Sequence, residues 1–204
     1  STPKPSSAAS DVYKRQGIVN GHRHVNLPGT VVKLPGITEA DKRDILFGMK
    51  QKVNFIALSF VRSSETIREV RELLGKHASH TEIIAKVENQ EGVERLEEIV
   101  QEADGVMVAR GDLGIEVELE DVPQIQRRIA FLCAKYGKRS IVATHMLESM
   151  IEHPVPTRAE VTDVANAVFE ESDAIMLSGE TSIGDYPVRS VETLKRIAKR
   201  TEIF

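Results

Sequence analysis

The sequence predicts an α/β fold, part of a (β/α)8 TIM barrel about five βα units long. Three observations carry that reading. Short runs rich in Val, Ile, Ala and Met recur without polar alternation, as parallel strands covered on both faces do. Longer segments with helical spacing separate them, and repeated strand–helix units imply a parallel sheet with right-handed crossovers. These two features fit a barrel and a doubly wound open sheet equally. The third decides: polar residues (Ser59, Lys86, Glu88, Asp112, Thr144, Ser178) gather at the carboxyl ends of several runs, the habit of the barrel.

The strands are expected at 53–60, 83–87, 105–109, 140–143 and 174–177. An opening helix covers about 38–49. Residues 66–74 set Ile67, Val70, Leu73 and Leu74 on one face, and Gly75 stops the helix. Residues 91–103 read as one helix carrying Val93, Leu96, Ile99 and Val100. The helix at 122–136 ends before Gly137 and contains Cys133 within an apolar stripe, where a free thiol acts as a small buried hydrophobe. Residues 157–169 open with Thr157 and Glu160 at capping-box spacing, and 188–198 form the last helix. A closed eight-unit barrel needs more chain than this, so a fragment is expected, with open apolar edges at 53–60 and 174–177.

A net charge of −4 over 204 residues gives no basic stripe for nucleic acid. No apolar run approaches the ~20 residues of a membrane span. With a single cysteine no internal disulfide can form, which suits a reducing cytoplasm. Residues 1–16, rich in Ser, Ala and Pro, read as a disordered or foreign leader without the apolar centre of a secretory signal.

Lys86 and Glu88 stand two apart at the end of a strand and therefore share a face. They form either a plain ion pair or a site for an anion beside a metal. In the run Val108-Ala109-Arg110-Gly111-Asp112, Gly111 allows close approach to the backbone. Asp112 is either a helix N-cap or, with Glu88, a ligand of a hard divalent ion such as Mg²⁺ or Mn²⁺. Thr144 and Ser178 offer hydroxyls that could contact an anion, pass a proton through water or cap helices. No GxxxxGK[ST] loop occurs, and no GxGxxG follows a strand. The six histidines (His22, His24, His77, His80, His145, His153) show no zinc-protease pairing.

The runs Val25-Asn26-Leu27-Pro28-Gly29, Ala85 to Asn89, Ala109 to Gly114, Ala143 to Met150, Pro156 to Glu160 and Leu177 to Thr181 resemble the pyruvate kinase family in order and spacing. The resemblance covers residues 17 to the end. It implies that 17–33 close an inserted lid domain and that 34–204 form the later part of the catalytic barrel. Lys86 then matches the lysine that stabilises the phosphoryl group in flight and the enolate. Glu88 and Asp112 match the ligands of the bound Mg²⁺ or Mn²⁺. Ala109, Gly111 and Asp112 match the segment holding the pyruvate carboxylate, Thr144 a substrate-contacting threonine, and Arg23 the place of a nucleotide-contacting lysine. His145 stands where the family usually has Gln.

The implied reaction is phosphoryl transfer from phosphoenolpyruvate to ADP, giving pyruvate and ATP. K⁺ and a homotetramer are implied for the complete enzyme. The family's phosphate-gripping arginine, most K⁺ ligands and its carboxyl-terminal domain are not among these residues, so the chain alone is expected to be inactive and marginally folded. Two other readings compete: a different Mg²⁺-dependent pyruvate or enolate barrel enzyme, such as an aldolase or lyase, and a non-catalytic barrel scaffold.

Overall fold

The computed structural model describes residues 35–203. The expected leader (1–16), the lid segment (17–33), Arg23, His22 and His24 lie outside the described residues. Five parallel strands, β1 (Phe55–Leu58), β2 (Glu82–Val87), β3 (Gly105–Ala109), β4 (Arg139–Ala143) and β5 (Ala174–Met176), pair in the order of the chain. A doubly wound sheet would reverse its order at a switch point. This one never reverses, and one parity of β2 and β3 packs against the helices in the main core, so it is an arc of a barrel.

The helices are α1 (Glu39–Lys50), α2 (Ser64–Leu74), α3 (Gln90–Glu94), α4 (Leu96–Glu102), α5 (Arg110–Glu116), α6 (Val122–Tyr136), α7 (Arg158–Phe169), α8 (Gly179–Ser182) and α9 (Pro187–Thr201). Thr38 caps α1 and Thr157 caps α7, each in a reciprocal capping box, which satisfies amides that a helix start leaves unpaired. Gly137 ends α6 at a φ of 63°, a left-handed turn that costs glycine nothing. The helix expected over 91–103 is interrupted at Arg95 (φ −99°, ψ 22°). Both pieces still turn apolar residues inward: Val93 on α3, and Leu96, Ile99 and Val100 on α4.

Strand parity sorts the core. Ile83, Ala85, Val87, Val106 and Val108 face the helices and join Ile67, Leu74, Leu96, Ile99 and Ile129 in the main cluster. Cys133 belongs to it, fully buried, and burial pushes its thiol up to about 12, with Asp173 adding to the rise. A second cluster joins Val142 of β4 to Met146, Leu147, Met150 and to Val164 and Ala167 of α7. The opposite parity, Phe55, Ala57, Ile84, Met107 and Ile141, lines a hollow of about 540 Å³ on the concave side of the arc. That side is only partly covered. β3 is buried throughout, whereas Phe55 of β1 is 51% exposed and Met176 of β5 is 37% exposed.

The expected strand at 53–60 shortens to four residues. It stops because Phe60 takes a positive φ of 52° and its amide turns away to the Glu88 carboxylate.

Two aspartates tie the amino ends of neighbouring strands. Asp104 precedes β3 and accepts from the Ile83 amide at 2.8 Å, and Asp173 precedes β5 and accepts from the Ser140 amide at 2.8 Å. Arg71 of α2 also donates to Asp104 at 3.2 Å. Replacing Asp104 by Ala orphans the Ile83 amide and one arginine contact. Chemical denaturation should show a loss of about 1–3 kcal/mol for Asp104→Ala, and a smaller loss for Asp104→Asn, which keeps an acceptor.

Candidate active site

The candidate residues Lys86, Glu88, Asp112, Thr144 and Ser178 gather where β2, β3, β4 and β5 end. Lys86 lies on the concave face, the same parity as Ile84, and pairs in register with Met107. Its ammonium lies 2.7 Å from Glu88 Oε1 and donates to Ser59 Oγ at 3.0 Å. Two residues on, the Glu88 side chain is 1% exposed against 24% for Lys86. Its Oε2 accepts from the Phe60 amide at 2.6 Å. Oε1, although close to Lys86, accepts no aligned hydrogen bond. A buried carboxylate oxygen in that condition is costly unless charge compensates it. The expected ion pair is therefore present, with acceptor capacity left over on its anion.

β3 runs directly into α5. The helix N-cap is Ala109, not Asp112, so the capping alternative for Asp112 falls away. Asp112 sits instead in the first turn, half-buried, and makes no hydrogen bond or ion pair among the described residues. Glu88 and Asp112 thus stand at the ends of adjacent strands, one with an unbonded buried oxygen and the other with an unpartnered carboxylate. No group of three or more His, Cys, Asp or Glu side chains among the described residues could hold a metal. Two hard carboxylates fit a Mg²⁺-like ion that takes its other ligands from substrate and water.

Thr144 follows β4 with φ 68°, and His145 follows with φ 54°. Consecutive left-handed residues without glycine are rare, and for a β-branched residue the conformation is an outlier costing roughly 1–3 kcal/mol. The Thr144 hydroxyl accepts from the Gly111 amide at 2.7 Å and donates to the Ala143 carbonyl at 2.6 Å. Gly111, Thr144 and the exposed His145 ring thus form one cluster. A Cβ built at Gly111 would meet Thr144 Oγ1 at 3.5 Å and the His145 ring at 3.6 Å, ordinary contact distances. Packing within the chain does not by itself require glycine there.

Ser178 lies two residues past the end of β5, as the N-cap of α8, but its side chain makes no capping bond. Its amide donates to Glu180 Oε2 at 2.8 Å, while Glu180 Oε1 accepts from the Leu147 amide at 2.9 Å. No hydrogen bond or ion pair among the described residues joins Ser178 to Lys86, nor the Lys86–Glu88–Ser59 group to the Gly111–Thr144 group.

Two side chains that organise this end were given no role from sequence. Glu180, fully buried, clamps the loops after β4 and β5. The Arg110 guanidinium gathers the carbonyls of Thr144 and His145 and pairs with Asp163. Both lie inside runs quoted above, but the Thr144 and Leu147 backbone groups they hold are more than thirty residues away along the chain.

The family model for the barrel domain of pyruvate kinase matches residues 6–191. The chain is 55% identical over 187 residues to a pyruvate kinase of Geobacillus stearothermophilus, covering 91% of this chain and 32% of that protein. It is 49% identical over 187 residues to one of Clostridium perfringens (91% and 40%). Against one of Dictyostelium discoideum it is 50% identical over 182 residues (89% and 36%). The chain spans about a third of the length of these relatives.

Glu160 holds the loop after β4 onto α7, accepting from the Ser149 amide and hydroxyl at 2.7 and 2.6 Å and from the Thr157 amide at 2.6 Å. Burial alone would raise its pKa, but these bonds outweigh burial and hold it below the usual value. A depressed folded value gives stability that is complete above the unfolded value and lost as pH falls through the folded one. The stability difference between the native protein and Glu160→Gln should therefore shrink steadily from about pH 6 to about pH 3, read by thermal unfolding. A difference that stays constant over that window would contradict this role.

Proposed function

Because the chain belongs to the pyruvate kinase family and carries its barrel domain, we propose that the full-length gene product transfers the phosphoryl group of phosphoenolpyruvate to ADP, giving pyruvate and ATP in glycolysis. The observation that carries the reading is the Lys86 ammonium against the buried Glu88 carboxylate, with the unpartnered Asp112 on the adjacent unit.

In this reading the bond from the enol oxygen to phosphorus breaks as a β-phosphate oxygen of ADP bonds to phosphorus. Lys86 stabilises negative charge on the phosphoryl group in flight and then on the enolate oxygen. The methylene carbon of the enolate finally takes a proton, and pyruvate results. Such reactions rest on positioning and fixed electrostatics, not on covalent chemistry by the protein. Glu88 and Asp112 would hold Mg²⁺ or Mn²⁺, which supplies neutralisation of phosphate charge when bound. The backbone from Ala109 to Asp112 receives the carboxylate of the substrate. Room for a side chain at Gly111 supports this, since a ligand explains the glycine better than packing does. Thr144 contacts the substrate, and Ser178 relays a proton through water. Arg23 meets the nucleotide. K⁺ assists the complete enzyme, which works as a homotetramer in the cytoplasm. Among the described residues, no helix is long and apolar enough to cross a membrane.

An aldolase or lyase would have no use for the lysine and threonine motifs together, and a scaffold would have no use for a buried charge pair. In the full-length product, Lys86→Met should lower kcat by roughly 10²–10³-fold while leaving Mn²⁺ affinity nearly unchanged, in an assay coupling pyruvate to NADH oxidation. The 204-residue chain assayed alone should form no pyruvate. Near-normal kcat in Lys86→Met would remove the role given to that side chain.

A further inference from the structure

The Arg110 side chain is 11% exposed and divides its donors between one turn and two helices. Nε and one terminal nitrogen both reach the Thr144 carbonyl, at 3.1 and 2.7 Å. That terminal nitrogen also lies 3.1 Å from the His145 carbonyl and 2.8 Å from Met146 Sδ. The other terminal nitrogen is held 2.7 Å from Asp163 on α7 and 3.4 Å from the buried Gln126 on α6. The carbonyls it collects belong to the two consecutive residues with left-handed backbone.

We infer that Arg110 is a positioning residue: it holds the left-handed Thr144–His145 turn so that the Thr144 hydroxyl stays at the Gly111 amide. A guanidinium suits the task because its planar fork can serve several carbonyls while an aspartate fixes its far side. Arg110 immediately precedes Gly111 at the carboxyl end of β3, whereas Thr144 follows β4. The contact therefore locks the ends of two adjacent units together. Without it, the turn relaxes toward ordinary φ values and carries the hydroxyl away from Gly111. The consequence for turnover rests on the reading above, in which Gly111 and Thr144 meet the substrate; the structural consequence does not.

The test uses the full-length product with Arg110→Met, and Asp163→Asn as a milder variant that leaves the arginine in place. Hydrogen exchange of the peptide carrying Gly111 should quicken about tenfold or more in Arg110→Met and less in Asp163→Asn. Turnover should fall by about 10²-fold in Arg110→Met, as expected for a group displaced by about an ångström, mainly in kcat. Adding His145→Gly, at an exposed position where glycine removes the left-handed penalty, should restore part of both. A purely structural arginine would lower thermal stability without this glycine rescue. Unchanged Gly111 exchange, or no rescue, overturns the inference. Faster Gly111 exchange in a protein whose native form lacks pyruvate kinase turnover upholds it and overturns the functional reading instead.

Discussion

A parallel strand packed on both faces can carry charge only where it ends, and that constraint arranges everything else here. β2 and β3 are apolar along their lengths and buried except at Lys86 and Glu82. The charged groups follow at once: Lys86 on the last concave position of β2, Glu88 just beyond it, and Arg110 and Asp112 as α5 begins. Because Glu88 is buried, it must find compensation locally, and it takes the Phe60 amide and the Lys86 ammonium. The same contact ends β1 early. One buried carboxylate therefore fixes a strand end, a backbone turn and the place of a cation.

The next units show the same division of labour. On the β4 side, strained backbone at Thr144 and His145 is stabilised from beneath by a guanidinium. On the β5 side, a fully buried carboxylate bonds amides from two loops. The charged side chains buried at this end thus bind backbone, while Lys86 and Asp112 are more accessible. At the amino ends, Asp104 and Asp173 staple adjacent strands and face no such demand. In a barrel of this type the amino ends of the strands characteristically serve stability.

The strand–helix alternation was legible because period and burial leave marks in a single stretch of sequence. The expected strand at Gly105–Ala109 and the helix at Val122–Tyr136 match the structure at both ends, and the capping box at Thr157 and Glu160 is present. The break at Arg95 was not legible, since the apolar spacing runs on through it. Nor was the shortening of β1, which depends on a carboxylate twenty-eight residues away. Asp112 looked like a cap because it stands near a helix start, but α5 begins at Arg110 with the strand still in hand. The roles of Arg110 and Glu180 are long-range contacts to main-chain groups, and backbone atoms leave no signature in a sequence. Lys86 and Glu88 were visible as a pair, while the burial that distinguishes them emerges only from the fold.

The central claim is that the ends of β2 and β3 form one site for a hard divalent ion beside a fixed cation. Electron paramagnetic resonance of free Mn²⁺, titrated with the full-length product, tests it most directly. The account predicts one tight Mn²⁺ per chain, weakened by at least roughly tenfold in both Glu88→Gln and Asp112→Asn, where a charged oxygen ligand is lost. Equal Mn²⁺ affinity and stoichiometry in the native protein and both variants would contradict it.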